Sequence, residues 1–199
     1  VKETKEKILL KALQFLVEND YERVSLNSIA DGIGITKGGI YHYFGSKEEL
    51  FQECLRTVFS KMQNITMNSL KGDYSLEELL RGLFSFETYL NEFEKNTGID
   101  FAGNYLNFSY LMFMGIKKFP AIKELITEIY RGMQKDLENL ISHLQTEGDV
   151  RKEIDCRQLA FELVAMAEGV MLISEFTSDI DFTTIGESLV QSTLKRVQA

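Results

Sequence analysis

Residues 26–47, LNSIADGIGITKGGIYHYFGSK, limit the fold more than any other stretch. Apolar side chains fall at Leu26, Ile29, Ile33, Ile35, Ile40 and Tyr43. Ile29 and Ile33 are four apart and share one helix face. Ile40 and Tyr43 are three apart and share a face of a later, second helix. Gly34 lies between the two sets, where a sharp turn needs a residue that accepts positive φ without Cβ strain. Ala30 is small enough to let the second helix cross closely. Thr36 offers a hydroxyl to cap that helix, whose first N–H groups have no partner of their own. The stretch therefore reads as helix, turn, helix, with the second helix at about 90–120° to the first.

The second helix, Thr36-Lys37-Gly38-Gly39-Ile40-Tyr41-His42-Tyr43, carries two adjacent glycines. Each costs about 1 kcal/mol relative to alanine in a helix interior. A purely structural helix gains nothing from them. A helix pressed against a duplex gains close backbone approach to phosphates or base edges. Thr36, Tyr41 and His42 are potential donors to phosphate oxygens, and Lys37 reaches phosphate or guanine. Lys47 follows at the start of the next helix, with Ser46 as its cap. The expected DNA contacts are Ser25, Thr36, Lys37, Gly38, Gly39, Tyr41, His42 and Lys47. The competing reading is an ordinary helical hairpin with a solvated polar face.

From Ile8 to Leu55 these residues resemble the N-terminal domain of the TetR family of bacterial transcriptional regulators. The resemblance rests on Ile8–Val17, Val24-Ser25-Leu26, Ile29-Ala30, Gly34-Ile35-Thr36, Tyr41-His42-Tyr43-Phe44 and Ser46-Lys47-Glu48-Glu49-Leu50. It covers about a quarter of the chain. One departure is Asn19-Asp20, where the family more often ends the first helix with glycine; Asn can take the left-handed cap, so little effect is expected. Beyond about residue 55 the family shares architecture rather than sequence. The resemblance implies an all-α chain of about nine helices, with a DNA-binding domain over 1–46 and an effector-binding and dimerisation domain over 47–199.

The rest of the chain fits an all-helical protein. It has 199 residues, one proline and 44% apolar residues. Cys54 and Cys156 stand far apart in no metal-like spacing, so a reduced pair is expected rather than a disulfide. No run of 18 apolar residues spans a membrane, and no signal-peptide pattern opens the chain, so a cytoplasmic location is expected. Net charge is −8, against a protein that simply coats DNA. The acid is uneven: residues 1–50 carry seven basic and eight acidic side chains, and the remainder carries most of the excess. Few phosphate contacts per subunit are expected. The two histidines, His42 and His143, sit in no catalytic or metal cluster, and no glycine loop cradles phosphate. Neither an enzyme nor a bound cofactor is expected.

Periodicity predicts helices over 2–18, 47–70 (ended by Lys71-Gly72-Asp73), 75–96, 99–117, 120–146, 155–176 and 182–197. Ser75 and Glu78 form a capping box. Breaks are expected at Gly98, Gly103 and Gly115, and Pro120 suits a first turn. The aromatic zone suggests an effector cavity lined by Met62, Phe84, Tyr89, Phe93, Tyr105, Phe108, Met112, Tyr130, Met133, Met166 and Glu168, with Tyr110 and Phe113 as further candidates; the plain alternative is packed core. Glu168 is singular, a carboxylate in an otherwise apolar helix. It suits either a cationic ligand or an interface hydrogen bond.

Residues 155–176 are apolar all round, so they face the chain's own core on one side and a second subunit on the other. Ala165 and Gly169 permit close helix contact there. Ala160, Val164, Ala167, Met171, Ile185 and Leu189 are the expected interface. In the TetR family the last two long helices form a dimeric four-helix bundle, and this pair resembles it. The function these features imply is a homodimer on a palindromic operator, a repressor released by a small lipophilic or aromatic effector. The alternative is a TetR-like DNA-binding protein without a small-molecule ligand, controlled by a protein partner or shaping DNA.

Overall fold

The protein is seen in a computed structural model that describes residues 2–19, 21–69, 74–99, 105–174, 176–177 and 180–199, with side chains except at 2, 63, 66–69, 105 and 108. Among the described residues the architecture is all-α, as expected, with ten helices: α1 Lys2–Glu18, α2 Leu26–Ile33, α3 Lys37–Tyr41, α4 Lys47–Ser69, α5 Leu76–Leu83, α6 Phe86–Thr97, α7 Tyr105–Lys118, α8 Pro120–Glu147, α9 Cys156–Ser174 and α10 Phe182–Val197. One isolated bridge pairs Val150 with Gln198.

Two compact units are present, Val1–Met62 with Phe93–Thr127, and Gln63–Glu92 with Glu128–Ala199. In the first, α1 packs on α2 and α7, and α2 packs on α3. Ile8, Ala12, Leu13, Ile29, Ala30, Ile40 and Phe44 are buried in this unit. Each large apolar side chain fully withdrawn from water contributes about 1.5–3 kcal/mol. Gly115 lies inside α7 rather than breaking it, because α7 runs close to α4. A Cβ there would stand 2.5 Å from Leu55 Cδ1. The left-handed cap open to Asn19 is not used. Its φ is not positive, and its side-chain amide instead donates to the Phe15 carbonyl at 3.0 Å. Gly98 ends α6 at φ 69°; Gly103 and Lys71-Gly72-Asp73 lie outside the described residues.

In the second unit α5 packs on α10. Leu76, Leu79, Leu80, Leu137, Ile141, Leu159, Leu163, Val190, Leu194 and Val197 are among its buried apolar residues. The capping box at α5 is complete: Ser75 Oγ accepts from Glu78 N, and Glu78 accepts from Ser75 N. The helix expected over 75–96 is two helices. Phe84 leaves the helical region at φ −101°, ψ 16°, and the Ser85 carbonyl restarts it by accepting from Tyr89 N at 3.0 Å. The Phe84 carbonyl lies against Gly186 of α10, where an added Cβ would stand 2.5 Å from it. Close packing of two backbones thus accompanies the break.

Candidate nucleic-acid interface

The reading unit is built from local bonds. Ser25 caps α2 by accepting from Ser28 N at 3.0 Å. Gly34 ends α2 at φ 71°, and Ile35 N donates back to the Ala30 carbonyl at 3.0 Å. This pair of features is the Schellman ending that satisfies the last carbonyls of a helix. Thr36 then caps α3, its Oγ1 accepting from Gly39 N at 3.1 Å. Ile40 is the fully buried anchor of α3, while Tyr41 is 48% exposed. Lys37 holds its ammonium 5.8 Å from the Tyr41 ring centroid. His42 packs edge-on against Tyr43 at 5.2 Å.

Of the eight expected DNA contacts, Ser25, Thr36, Lys37, Gly38, Tyr41 and His42 are exposed, and Gly39 and Lys47 are half-buried. Neither Gly38 nor Gly39 has positive φ. A Cβ at Gly38 would come no nearer than 3.7 Å to Thr36 Oγ1, and one at Gly39 no nearer than 3.6 Å to Ile35. Both distances are ordinary van der Waals contact, so internal packing does not explain either glycine.

Lys47 is turned inward rather than held free. Its ammonium donates to the Tyr21 carbonyl at 2.5 Å and lies 4.3 Å from the Tyr21 ring centroid. Burial pulls its pKa below the usual lysine value. Lys118, at the end of α7, covers the same ring at 4.1 Å and pairs with Glu22 at 2.8 Å. Phe51 packs edge-on against Tyr21 at 4.9 Å. Burial first, and then the Glu48 and Glu22 carboxylates, push the Tyr21 phenol up to about 12. Sequence reasoning missed this cluster, in which one aromatic ring fixes the segment before α2 to α4 and to the end of α7. Its only sequence signal is an aromatic residue directly before the charged pair Glu22-Arg23.

The expected effector residues are divided between the two units, and their burial is mixed. Phe84 and Phe93 are buried; Met62, Tyr89, Met112, Tyr130, Met133 and Met166 are half-buried; the side chains of Tyr105 and Phe108 lie outside those described. Tyr110 and Phe113 point outward, Phe113 being 62% exposed. Glu168 is exposed, not buried, and accepts from the Tyr130 hydroxyl at 2.8 Å. Among the described residues the second unit has clefts in at least two places. One, of about 330 Å³, runs between the α5–α6 junction and α10 and takes Phe84 from the expected set. The other, of about 490 Å³, lies between α9 and α10 and takes Met166.

The expected interface residues split by helix phase. Ala160 and Met171 are buried in their own chain. Val164, Ala167 and Leu189 are half-buried, and Ile185 is exposed. The outward apolar stripe is instead Phe161, Ala165 and Leu172, with Ile173 and Phe176 beside it. Phe161 is 61% and Phe176 72% exposed, a large apolar surface for an isolated chain. Gly169 on the same helix meets nothing within 4 Å.

A capped short helix crossing a left-handed glycine turn, with its polar face outward, makes this a helix-turn-helix protein. The family of bacterial regulatory proteins, tetR family, matches residues 8–54, and the tetracyclin repressor-like C-terminal domain matches residues 117–184. The chain belongs to the TetR family. It is 32% identical over 108 residues to the biofilm operon icaADBC HTH-type negative transcriptional regulator IcaR of Staphylococcus aureus, covering 50% of this chain and 58% of that one. The match thus spans little more than half the length of that relative. In fold it is similar to a transcriptional regulator from Saccharomonospora viridis in complex with choline, with TM-score 0.79, 18% identity and full coverage of both chains. It is also similar to the regulator FadR from Bacillus subtilis in complex with stearoyl-CoA, with TM-score 0.69, 18% identity, and coverage of 93% and 95%. Among the described residues no helix is long and apolar enough to cross a membrane, and no group of three His, Cys, Asp or Glu is placed to hold a metal ion.

Proposed function

We propose that this chain is a homodimeric transcriptional repressor that binds a palindromic operator and is released from it by a small lipophilic or aromatic effector. The observation that carries the reading is α3: an exposed, Thr-capped helix whose two glycines have no internal cause. Residues 1–46 read DNA, through Thr36, Lys37, Tyr41 and His42 and through backbone brought close at Gly38 and Gly39. Residues 47–199 dimerise and sense the effector. Dimerisation through Phe161, Leu172, Ile173 and Phe176 accounts for an apolar stripe left in water by the single chain. Repression is supported by IcaR, a negative regulator. A small-molecule effector is supported by the choline and stearoyl-CoA held by two proteins of the same fold.

The two subunits place their α3 helices about 34–36 Å apart in successive major grooves. An effector releases DNA only by binding the two forms of the dimer unequally. The test is selection of bound fragments from random duplex DNA, followed by footprinting and sedimentation. A two-fold symmetric footprint on a dimer is expected, and Phe161→Glu is expected to yield monomers that lose the operator. An asymmetric footprint, or a wild-type protein that sediments as a monomer, refutes the reading.

A further inference from the structure

The cleft between α5, α6 and α10 in the second unit is lined by none of the proposed DNA-reading residues. One wall is aromatic. The Phe86 ring lies 6.1 Å from Phe84 and 5.8 Å from Phe182, each pair tilted by about 44°. The rim is ionic, with Arg81, Glu87 and Glu187. Arg81 has little charge left to offer. It is bound to Glu187 through Nη1 at 2.5 Å and to Glu77 through Nη2 at 2.8 Å. Glu187 is held below the usual carboxylate range by its bonds to Arg81 and Gln191, so it stays charged. Glu87 is different: its Oε1 accepts only the Thr183 hydroxyl, at 3.1 Å, and among the described residues it pairs with no cation.

We propose that this cleft binds a small organic cation bearing apolar groups, with Glu87 as its counter-ion and the Phe86 and Phe182 rings as its wall. The regulatory half of this inference, that the cation is the effector, rests on the repressor reading above. The charges choose the sign of the ligand. Two carboxylates and one already-neutralised guanidinium disfavour an anion. Ring faces attract a cation that has been stripped of water. Glu87 also sits in the first turn of α6, where a carboxylate complements the helix dipole. That role accounts for a charge at this position, but not for a cleft of about 330 Å³ walled by three phenyl rings beside it.

The experiment is calorimetric titration of the full-length chain, without DNA, using benzyltrimethylammonium, benzyl alcohol and benzenesulfonate. Saturable binding of the cation alone, one per chain, is expected. Glu87→Gln is expected to weaken it about tenfold or more and to lower the melting temperature by only about 1–4 °C, from the lost helix-dipole complement. Glu87→Asp should recover part of the loss, and Glu168→Gln, at an exposed carboxylate that does not line the cleft, should leave it intact. The site is refuted by equal binding of the alcohol or the sulfonate, by no loss in Glu87→Gln, or by no binding of the cation at about 10 mM. Operator binding is measured separately. A cation that saturates the cleft and leaves the operator complex intact overturns the effector role and keeps the site. A chain that binds no DNA overturns the repressor reading and leaves the calorimetry standing.

Discussion

Replacing Gly38 and Gly39 with alanine separates the stability of α3 from its use. In the folded chain the new methyl groups find neighbours at 3.7 Å for Gly38 and 3.6 Å for Gly39. Neither distance forces a shift, and neither residue has positive φ. The substitution therefore carries no clash or strain. It gains helix propensity and restricts the unfolded chain, together about 0.5–1 kcal/mol at each position. The double variant should be about 1–2 kcal/mol more stable in urea, with a melting temperature about 2–4 °C higher per kcal/mol. Against DNA the sign reverses. Two methyl groups on the reading helix stand where backbone is proposed to meet phosphate or base edges, and affinity should fall tenfold or more, about 1.4 kcal/mol. Paired urea unfolding and fluorescence-anisotropy titrations measure both. Destabilisation refutes the packing argument. Operator affinity within twofold of wild type refutes the claim that the glycines serve close approach.

Gly34→Ala meets nothing within 4 Å but must hold φ near 71°, so it should cost about 1–2 kcal/mol from backbone strain alone, read in the same urea curves. Gly186→Ala drives a Cβ to 2.5 Å from the Phe84 carbonyl and should cost about 1–3 kcal/mol from overpacking. Gly169→Ala, with open space around it, should not destabilise the monomeric Phe161→Glu background. Glu78 is held below the usual carboxylate value by the Ser75 backbone N–H and then by the Ser75 hydroxyl. Its folded pKa is lowered, so its contribution is complete above the ordinary value of 4.5 and is lost as pH falls through the lowered one. Wild type and Glu78→Gln melting temperatures should therefore converge on acidification and separate again above about pH 5.

The helix-turn-helix was legible because each constraint on it is local. The Ser25 and Thr36 caps, the left-handed Gly34, and the spacing of Ile29 and Ile40 all act within a few residues. The break at Phe84-Ser85 was not legible. No proline or glycine marks it, and the carbonyl exposed there meets Gly186 far along the chain. The inward turn of Lys47 was hidden for a similar reason, since its partners are carbonyls of residues 21 and 22. In α9, apolar residues all round led to the expectation that both sides are covered but did not say which side is which. The buried set Leu159, Ala160, Leu163 and Met171 fixes the phase. That set turns Ala160 and Met171 inward and leaves Phe161 and Leu172 to the outer stripe. Composition was equally silent on direction in the aromatic zone, where Tyr110 and Phe113 were candidates for a cavity wall and are exposed.

A chain of net charge −8 can still hold a duplex if few cations are placed well, and the states of six lysines bear on how few. Lys5 pairs with Glu53 and Lys7 with Glu3. Lys11 donates to Gln14. Lys47 serves the Tyr21 and Glu22 carbonyls, and Lys118 pairs with Glu22. Lys37 stays exposed, with an aromatic ring as its neighbour instead of a carboxylate. Among these six lysines, phosphate neutralisation should then rest on Lys37, with backbone N–H groups and hydroxyls supplying further contacts. Each neutralised phosphate contributes about 0.9 to the slope of log affinity against log salt. Lys37→Gln should therefore reduce the slope by about 2 for the dimer, one contact per subunit, and weaken all sequences alike. Tyr41→Phe, which keeps the ring and removes a donor without charge, should lower affinity and leave the slope in place. A wild-type slope near −10, or one that Lys37→Gln does not change, would place the phosphate contacts on other residues and remove α3 from its assigned role.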